Sequence, residues 1–183
     1  GLENLTQLTV LYLMDNQLTE LPKGLENLTQ LTSLTLWGNQ LTDVKRLEKL
    51  TQLTSLTLYG NQLTEVKMLE KFTQLRYLDL SSNQLTDVKG LEKLTKLESL
   101  NLRENQLTDV KGLEKLTRLE SLAIGGNELA DVTGFKNLTQ LKELFLGGNE
   151  LTSVKSLEKL TKLEWLRLSY NPDLTKAQIA ELQ

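Results

Sequence analysis

The 183-residue sequence contains no cysteine and no histidine. Without cysteine there are no disulfides and no thiolate ligands, and without histidine the usual zinc sites and every nucleophile–histidine arrangement are excluded. Only carboxylates, lysines and tyrosines remain as candidates for catalysis. We therefore expect a protein that is not an enzyme and that has neither a metal site nor a cofactor.

The sequence also lacks a surplus of charge and a long apolar run. Its 21 Lys and Arg residues face 24 Asp and Glu residues, with a net charge of −3, so there is no broad cationic surface for nucleic acid or an anionic membrane. No apolar run is long enough for a membrane helix, and no signal-peptide pattern is visible. We expect a soluble protein, cytoplasmic or secreted, without nucleic-acid binding or membrane insertion; the sequence does not decide the compartment.

A repeat of 22 residues runs through the chain. Asparagines recur every 22 residues after a first interval of 23, within the frame L-x-x-L-x-x-L-x-L-x-x-N-x-L-x-x-V-x-x-L. Periodicity of this length is typical of a solenoid, in which each unit packs on its neighbours. The asparagines are Asn16, Asn39, Asn61, Asn83, Asn105, Asn127, Asn149 and Asn171.

The frame has a direct physical interpretation. The alternation Leu34-Thr35-Leu36 predicts one short strand per repeat, with the leucines inside and Ser33 and Trp37 on the opposite face. Asparagine carries a donor and an acceptor on a short side chain, so the stacked asparagines are predicted to form a structural ladder that satisfies backbone groups. The segments between strands are too short for an α-helix of several turns, which predicts 3₁₀ turns or irregular chain.

This frame resembles the leucine-rich repeat family over essentially the whole chain. The repeat length and the segment NQLTDVKGLEKLTKL, residues 83–97, are similar to the subclass found in internalins, in a phosphatase regulatory subunit and in the repeat arms of bacterial Roco proteins. The resemblance implies an α/β solenoid, a horseshoe with a single curved parallel β-sheet on its concave face and a 3₁₀ or irregular convex side. It also implies a bacterial protein whose concave face binds other molecules.

We expect a single leucine-rich repeat domain over residues 1–183, with about eight repeats. Near its end, Thr175 followed by Gln178 predicts a capping box that opens a short helix, Lys176 to Gln183, within a C-terminal cap of residues 174–183. This helix is expected to cover the last repeat.

The front of the repeat array has no comparable cap. The chain begins within the closing part of a repeat, so the first strand, Val10 to Met14, is expected to present an open edge. A fragment of a longer protein is the favoured explanation. Weak self-association through this edge is the expected consequence for the chain on its own.

Comparing the repeats with one another identifies candidate binding residues. Four positions per repeat face outward on or beside the strand: 10, 12, 14 and 15 in the first, 33, 35, 37 and 38 in the second, and so on to 165, 167, 169 and 170. These 32 of 183 positions hold seven of the nine aromatic residues, whereas Phe72 and Phe135 replace frame leucines and are predicted core. Strand propensity alone does not explain the aromatics, because Ser, Thr and Gly fill the same positions elsewhere. The candidate ligand-binding residues are Tyr12, Met14, Trp37, Tyr59, Tyr77, Asp79, Arg103, Glu104, Glu143, Phe145, Trp165, Arg167 and Tyr170.

These residues predict a non-catalytic recognition module that binds a protein or peptide partner on the concave face. Catalysis is disfavoured because an open sheet does not exclude water from a pair of carboxylates. Three alternatives stay open: carbohydrate recognition by the same face, the repeat arm of a larger protein such as a Roco-type GTPase, and a designed consensus scaffold. The ligand and the oligomeric state are not identified by the sequence.

Overall fold

The structure, a computed structural model, describes residues 1–180 and 182. In this part of the chain, eight parallel strands form one open sheet whose spatial order is the chain order. Neighbouring strands pair in register, so that Leu11 lies opposite Leu34 and Leu34 opposite Leu56. The strands are β1 (Val10–Tyr12), β2 (Ser33–Thr35), β3 (Ser55–Thr57), β4 (Tyr77–Asp79), β5 (Ser99–Asn101), β6 (Ser121–Ala123), β7 (Glu143–Phe145) and β8 (Trp165–Arg167).

The strands are shorter than the predicted Val10 to Met14, although hydrogen bonding between repeats continues beyond them. The Leu13 amide donates to the Thr35 carbonyl at 2.8 Å, and the Asp15 amide donates to the Trp37 carbonyl at 3.0 Å. Asp15 then adopts a left-handed conformation with φ of 54°. This residue ends the extended segment, because a left-handed residue changes the direction of the chain.

Short 3₁₀ helices line the convex side, as the length of the connecting segments predicted. A connection of this size has room for one tight turn and not for a regular α-helix. The 3₁₀ helices span Leu2–Asn4, Leu25–Asn27, Lys45–Leu47, Lys67–Lys71, Leu91–Lys93, Leu113–Lys115, Thr133–Asn137 and Lys155–Lys159.

The frame residues fill a continuous core between the two sides. Leu34 and Leu36 are fully buried, while Thr35 between them is half-buried on the opposite face, which confirms the predicted alternation. Phe72 and Phe135 are also fully buried, as expected for residues that replace frame leucines. The hydrophobic effect of this burial is the main favourable contribution to folding.

Asparagine side chains connect successive repeats. Asn83 Nδ2 donates to the carbonyl of Leu58 in the preceding repeat at 3.0 Å and to the carbonyl of Leu80 in its own repeat at 3.1 Å. Its Oδ1 accepts a hydrogen bond from the Leu63 amide at 3.0 Å. Each buried asparagine thus serves backbone groups that no strand partner reaches. The same contacts recur at Asn61, Asn105, Asn127, Asn149 and Asn171.

The first two asparagines differ from this arrangement. Asn39 Oδ1 accepts from two amides, those of Asn16 at 3.1 Å and Leu18 at 2.9 Å. Asn16 is exposed, and its Nδ2 donates to the Met14 carbonyl at 2.9 Å. The same residue type is therefore buried in the middle of the ladder and exposed at its first position.

A capping box opens the C-terminal helix, as predicted. The Thr175 amide donates to Gln178 Oε1 at 2.6 Å, and the Gln178 amide donates to Thr175 Oγ1 at 3.3 Å. The helix α1 spans Lys176–Ala180; positions 181 and 183 of the predicted helix lie outside the described residues. Because α1 buries none of its residues and Leu166 in β8 remains exposed, this short helix covers only part of the last repeat.

Candidate binding surface on the concave face

The outward residues of the eight strands form columns across the concave face. Because adjacent strands pair in register, residues at equivalent positions lie about 4.8 Å apart. The 13 candidate residues all occupy these columns. They divide into a front aromatic group at β1–β4, a polar centre at β4 and β5, and a rear group towards β8. The polar centre consists of Asp79, Arg103 and Glu104, and the rear group consists of Glu143, Phe145, Trp165, Arg167 and Tyr170. The front aromatic group consists of Tyr12, Trp37, Tyr59 and Tyr77, together with the apolar Met14.

Two rings of the front aromatic group contact each other. The ring centroids of Trp37 and Tyr59 are 6.2 Å apart, with their planes tilted by 39°, a geometry typical of favourable aromatic pairs. Trp37 is half-buried and Tyr59 is exposed, while Tyr12 on β1 is 63% exposed. The two rings therefore pack against each other and still present apolar surface to solvent.

The polar centre is held together by the Asp79 carboxylate. Its Oδ1 accepts from the amide and hydroxyl of Ser81 at 2.9 and 2.6 Å, and its Oδ2 accepts from Asn101 Nδ2 at 3.1 Å. The Tyr77 hydroxyl lies 3.5 Å from Oδ2. These internal donors occupy the acceptor positions of a carboxylate, so Asp79 positions its neighbours and has little capacity left for a ligand.

The same centre changes the acidity of Tyr77. Partial burial raises the pKa of the Tyr77 phenol, and the negative charge of Asp79 raises this pKa further. The phenol therefore keeps its proton to a higher pH than an ordinary tyrosine.

The rear group combines aromatic rings with two arginines. The Arg103 guanidinium carbon lies 4.8 Å above the centroid of the Phe145 ring, which is a cation–π contact. Trp165 and Tyr170 are 65% and 81% exposed. Arg167 Nε donates to Ser169 Oγ at 3.0 Å. The structure thus joins Arg103 to the rear group, across the bare surface of the sixth repeat.

Two candidate carboxylates in this half are hydrogen-bonded to serines of the neighbouring repeat. Glu104 Oε2 accepts from Ser82 Oγ at 2.6 Å, and Glu143 Oε2 accepts from Ser121 Oγ at 2.8 Å. Each carboxylate keeps its other oxygen available to solvent or a ligand. Both therefore remain accessible members of the surface, unlike Asp79.

Sequence reasoning did not include several residues of this surface among the candidates. Ser81 and Asn101 complete the polar centre through their hydrogen bonds to Asp79. The sequence indicates Ser81 as a polar residue two positions after Asp79, and Asn101 as the polar residue opposite Asp79 in the strand register. Glycines at two adjacent columns of the sixth and seventh repeats form the floor of an open trough of about 220 Å³. The floor residues are Gly125, Gly126, Gly147 and Gly148.

Over the described residues, no group of three or more acidic side chains is arranged to hold a metal ion. No helix in residues 1–180 is long and apolar enough to cross a membrane.

Comparisons with known proteins agree with this geometry. The family model "Leucine Rich repeats (2 copies)" matches residues 6–49, 29–71, 51–93, 73–114 and 95–137, and the model "Leucine rich repeat" matches residues 130–172. No curated protein sequence matches the chain.

The solved structures that resemble this one include internalins from Listeria monocytogenes. An internalin (inlF) superposes with a TM-score of 0.93 at 34% identity, covering 100% of this chain and 54% of that one. Internalin C2 gives a TM-score of 0.92 at 32% identity, covering 99% of this chain and 80% of that one. The functional domain of InlJ, which includes a cysteine ladder, gives 0.84 at 29% identity, covering 93% and 36%. This chain therefore spans about half the length of the first structure and about a third of the third.

Proposed function

The chain belongs to the leucine-rich repeat family and its repeats are internalin-like; on that premise we propose that it is a recognition module whose concave face binds a protein or peptide partner. Leucine-rich repeats of this kind are generally non-catalytic scaffolds for interactions between proteins. The observation that carries the proposal is the exposure of large aromatic side chains on strands whose inward residues already complete the core.

The front aromatic group is large enough to anchor a partner. A large aromatic residue buries roughly 150 to 250 Å² when it is covered. Four such residues, Tyr12, Trp37, Tyr59 and Tyr77, lie on or just after adjacent strands and are each partly exposed, so together they supply a substantial apolar part of the roughly 800 Å² per partner of an ordinary protein interface. Aromatic residues of this kind are also the ones that most often dominate binding energy.

The rear half of the face supplies charge. Arg103, Glu104, Arg167 and Tyr170 line the trough, and Trp165 is exposed on β8. A partner that covers both halves would meet apolar anchors at one end and mixed charge at the other. This arrangement favours one orientation of the partner, because complementary charges fix register more than they add affinity.

Carbohydrate recognition by the same face is less well supported. Sugar binding would use the aromatic rings for stacking and nearby carboxylates for hydroxyl groups. The obvious carboxylate beside the front aromatic group is Asp79, and its oxygens are already engaged by internal donors. A glycan array distinguishes the two functions: binding that persists at high salt would favour sugar, and no binding is expected.

The two tryptophans provide a direct test of where a partner binds. The chain contains only Trp37 and Trp165, and both lie on the concave face. In a Trp165→Phe variant, the fluorescence of Trp37 should change when a protein or peptide selected from a display library is added. In a Trp37→Phe variant, Trp165 reports on the rear half in the same way.

The control compares these signals with binding itself. A ligand whose affinity is measured calorimetrically, and which leaves the emission of both tryptophans unchanged, binds elsewhere and contradicts the proposal. A convex-side variant such as Lys89→Ala should leave affinity and fluorescence changes as they are in the unmodified protein.

A further inference from the structure

The glycine trough, defined by Gly125, Gly126, Gly147 and Gly148, is a depression built by the absence of side chains. The third outward column carries Trp37, Tyr59, Ser81 and Arg103 in earlier repeats, whereas the sixth and seventh repeats have glycine there. A Cβ atom added to Gly125 would lie 2.5 Å from the Gly147 carbonyl oxygen. Position 125 must therefore stay without a side chain while the backbone keeps this conformation.

Two of the four floor amides are used within the sheet. The Gly126 amide donates to the Gly147 carbonyl at 2.9 Å, and the Gly148 amide donates to the Ser169 carbonyl at 2.9 Å. These two amides are therefore not free to hold an anion. The charged groups that can recognise a ligand in the trough are the side chains that line it.

Those side chains are dominated by two arginines. Arg103 extends from the fifth repeat over Phe145 in the seventh, and Arg167 lies in the eighth repeat, so both arginines line the trough. Across the described part of the chain, no carboxylate pairs with either of them, whereas Arg76 pairs with Glu98 at 2.7 Å. A guanidinium without a carboxylate partner in the protein can donate hydrogen bonds to a carboxylate of a ligand.

The positions of the arginines leave donors available. Arg103 stacks over the Phe145 ring, and a stacked guanidinium keeps the N–H groups along its edge for bidentate contact with an oxyanion. Arg167 uses its Nε for Ser169, which leaves its terminal nitrogens. Glu104 carries the single carboxylate of the trough, so the two arginines give the lining an excess of positive charge. The Glu104 carboxylate accepts a hydrogen bond from Ser82 Oγ, on the side of the fourth repeat.

The rim supplies apolar walls at a conformational cost. Tyr170 has a left-handed conformation, with φ of 60°, and is 81% exposed. The equivalent position is glycine in the second, third, sixth and seventh repeats. A bulky residue in this conformation is strained, and strained residues concentrate at sites that contact ligands.

We infer that the glycine trough receives an acidic side chain from an extended segment of the partner, with its carboxylate between Arg103 and Arg167 and its chain against Phe145 and Tyr170. The inference rests on the proposed function, because it assigns the chemistry of one part of the same partner. It adds a requirement that the front aromatic group does not impose, namely an aspartate or glutamate in the bound segment.

The test uses a small probe and glycine-selective NMR labelling. The chain has 11 glycines, and four of them floor the trough, so their amide signals report occupancy directly. Acetyl-threonyl-glutamyl-threonine amide should shift the signals of the four floor glycines in a saturable way and leave those of Gly24 and Gly90, on the convex side, unchanged. The matched glutaminyl peptide should bind at least about tenfold more weakly, since it lacks the charge.

Variants of the protein separate charge from shape. Arg103→Gln with Arg167→Gln should abolish the response to the glutamyl peptide. Gly148→Asn should also abolish it by filling the floor, because a Cβ there meets its nearest atom at 3.4 Å and asparagine tolerates the left-handed conformation. Gly60→Asn is the matched control: the same column, φ of 64° and a nearest atom at 3.6 Å, but outside the trough, so the response should be retained.

Each outcome decides the inference. Equal binding of the glutamyl and glutaminyl peptides, or glutamyl binding that survives the double arginine variant, would overturn it. A phosphoseryl peptide that binds while the glutamyl peptide does not would also overturn it and would assign the trough to phosphate. The probe does not contact Trp37 or Tyr59, so failure of the probe to bind leaves the proposed function standing. Binding of the probe, in turn, would not support the proposed function if substitutions at Trp37 and Tyr59 had no effect on the affinity for a partner.

Discussion

Each strand of this protein has an inward side and an outward side that follow different rules. On β4, Leu78 is fully buried, while Tyr77 and Asp79 on either side of it face outward. The inward position is leucine in all eight strands, whereas the outward positions hold residues as different as tryptophan, aspartate, arginine and alanine. The frame therefore repeats from strand to strand, whereas the concave face varies.

The largest expected effect comes from a polar substitution in the frame. Phe72→Ser should lower the free energy of unfolding by about 3 to 5 kcal/mol, because it removes a fully buried ring and leaves a cavity. Phe145→Ser is the matched substitution on the face, where the ring is half-buried. It should cost much less, including the loss of the contact with Arg103, worth roughly 0.5 to 1 kcal/mol.

Urea denaturation measures this pair. Equal destabilisation by the two substitutions would show that the outward ring belongs to the packed core and would remove the distinction between frame and face.

The next effect concerns the asparagine ladder. Asn83→Ala should cost about 1 to 3 kcal/mol, because it leaves the Leu63 amide and the Leu58 carbonyl without partners in a buried region. Asn16→Ala should cost less, since Asn16 is exposed and water can replace its hydrogen bond to Met14. The difference between the two free energies of unfolding tests whether burial, and not the asparagine itself, makes the ladder stabilising.

A convex-side substitution sets the scale for positions that belong to neither region. Lys89→Ala removes an exposed ion pair with Asp87, in which the charged atoms are 3.0 Å apart. Exposed pairs contribute little, so the change should stay within about 0.5 kcal/mol. If the Asn83→Ala variant is no less stable than the Lys89→Ala variant in the same denaturant titration, the hydrogen bonds of the ladder do not stabilise the fold.

The smallest expected effect is a shift in the titration of Tyr77. Asp79→Asn should lower the pKa of the Tyr77 phenol part of the way towards its ordinary value, because burial, the larger cause, remains. Since the folded-state pKa is raised, the folded protein holds this proton longer than the unfolded chain. The contribution of this difference to the free energy of unfolding is present below about pH 10, the ordinary tyrosine pKa. It is lost as the pH rises through the pKa of Tyr77 in the folded protein.

Ultraviolet absorbance follows the tyrosinate signal, and a Tyr77→Phe variant identifies the contribution of this residue. An unchanged Tyr77 titration in the Asp79→Asn variant would mean that the polar centre is not coupled to the phenol.

The sequence predicted the inward side far better than the outward side. Periodic leucines at positions such as Leu34 and Leu36 are buried by repetition alone, so the strands, the 3₁₀ turns and the single sheet followed from the pattern. Long side chains do not repeat: Arg103 reaches Phe145 two repeats away. Their conformations depend on which neighbours happen to be small, such as Ala123 between them.

The polar centre shows the same limit. Asp79 was a reasonable ligand-binding candidate as an outward carboxylate, but its donors come from Ser81 in its own repeat and Asn101 in the next. Each of these residues is ordinary in its own column. Their hydrogen bonds become visible only when the register of β4 and β5 places them side by side.

One measurement tests the separation of frame and face most directly. The double variant Trp37→Ser with Tyr59→Thr should keep a free energy of unfolding within about 1 kcal/mol of the unmodified protein, because both residues are outward and these smaller types already occupy the face. Its affinity for a partner bound by the unmodified protein, measured by calorimetry on the folded variant, should fall by roughly 10²- to 10³-fold. A double variant that loses several kcal/mol of stability but binds the partner as before when folded would contradict the account and place the two rings in the core.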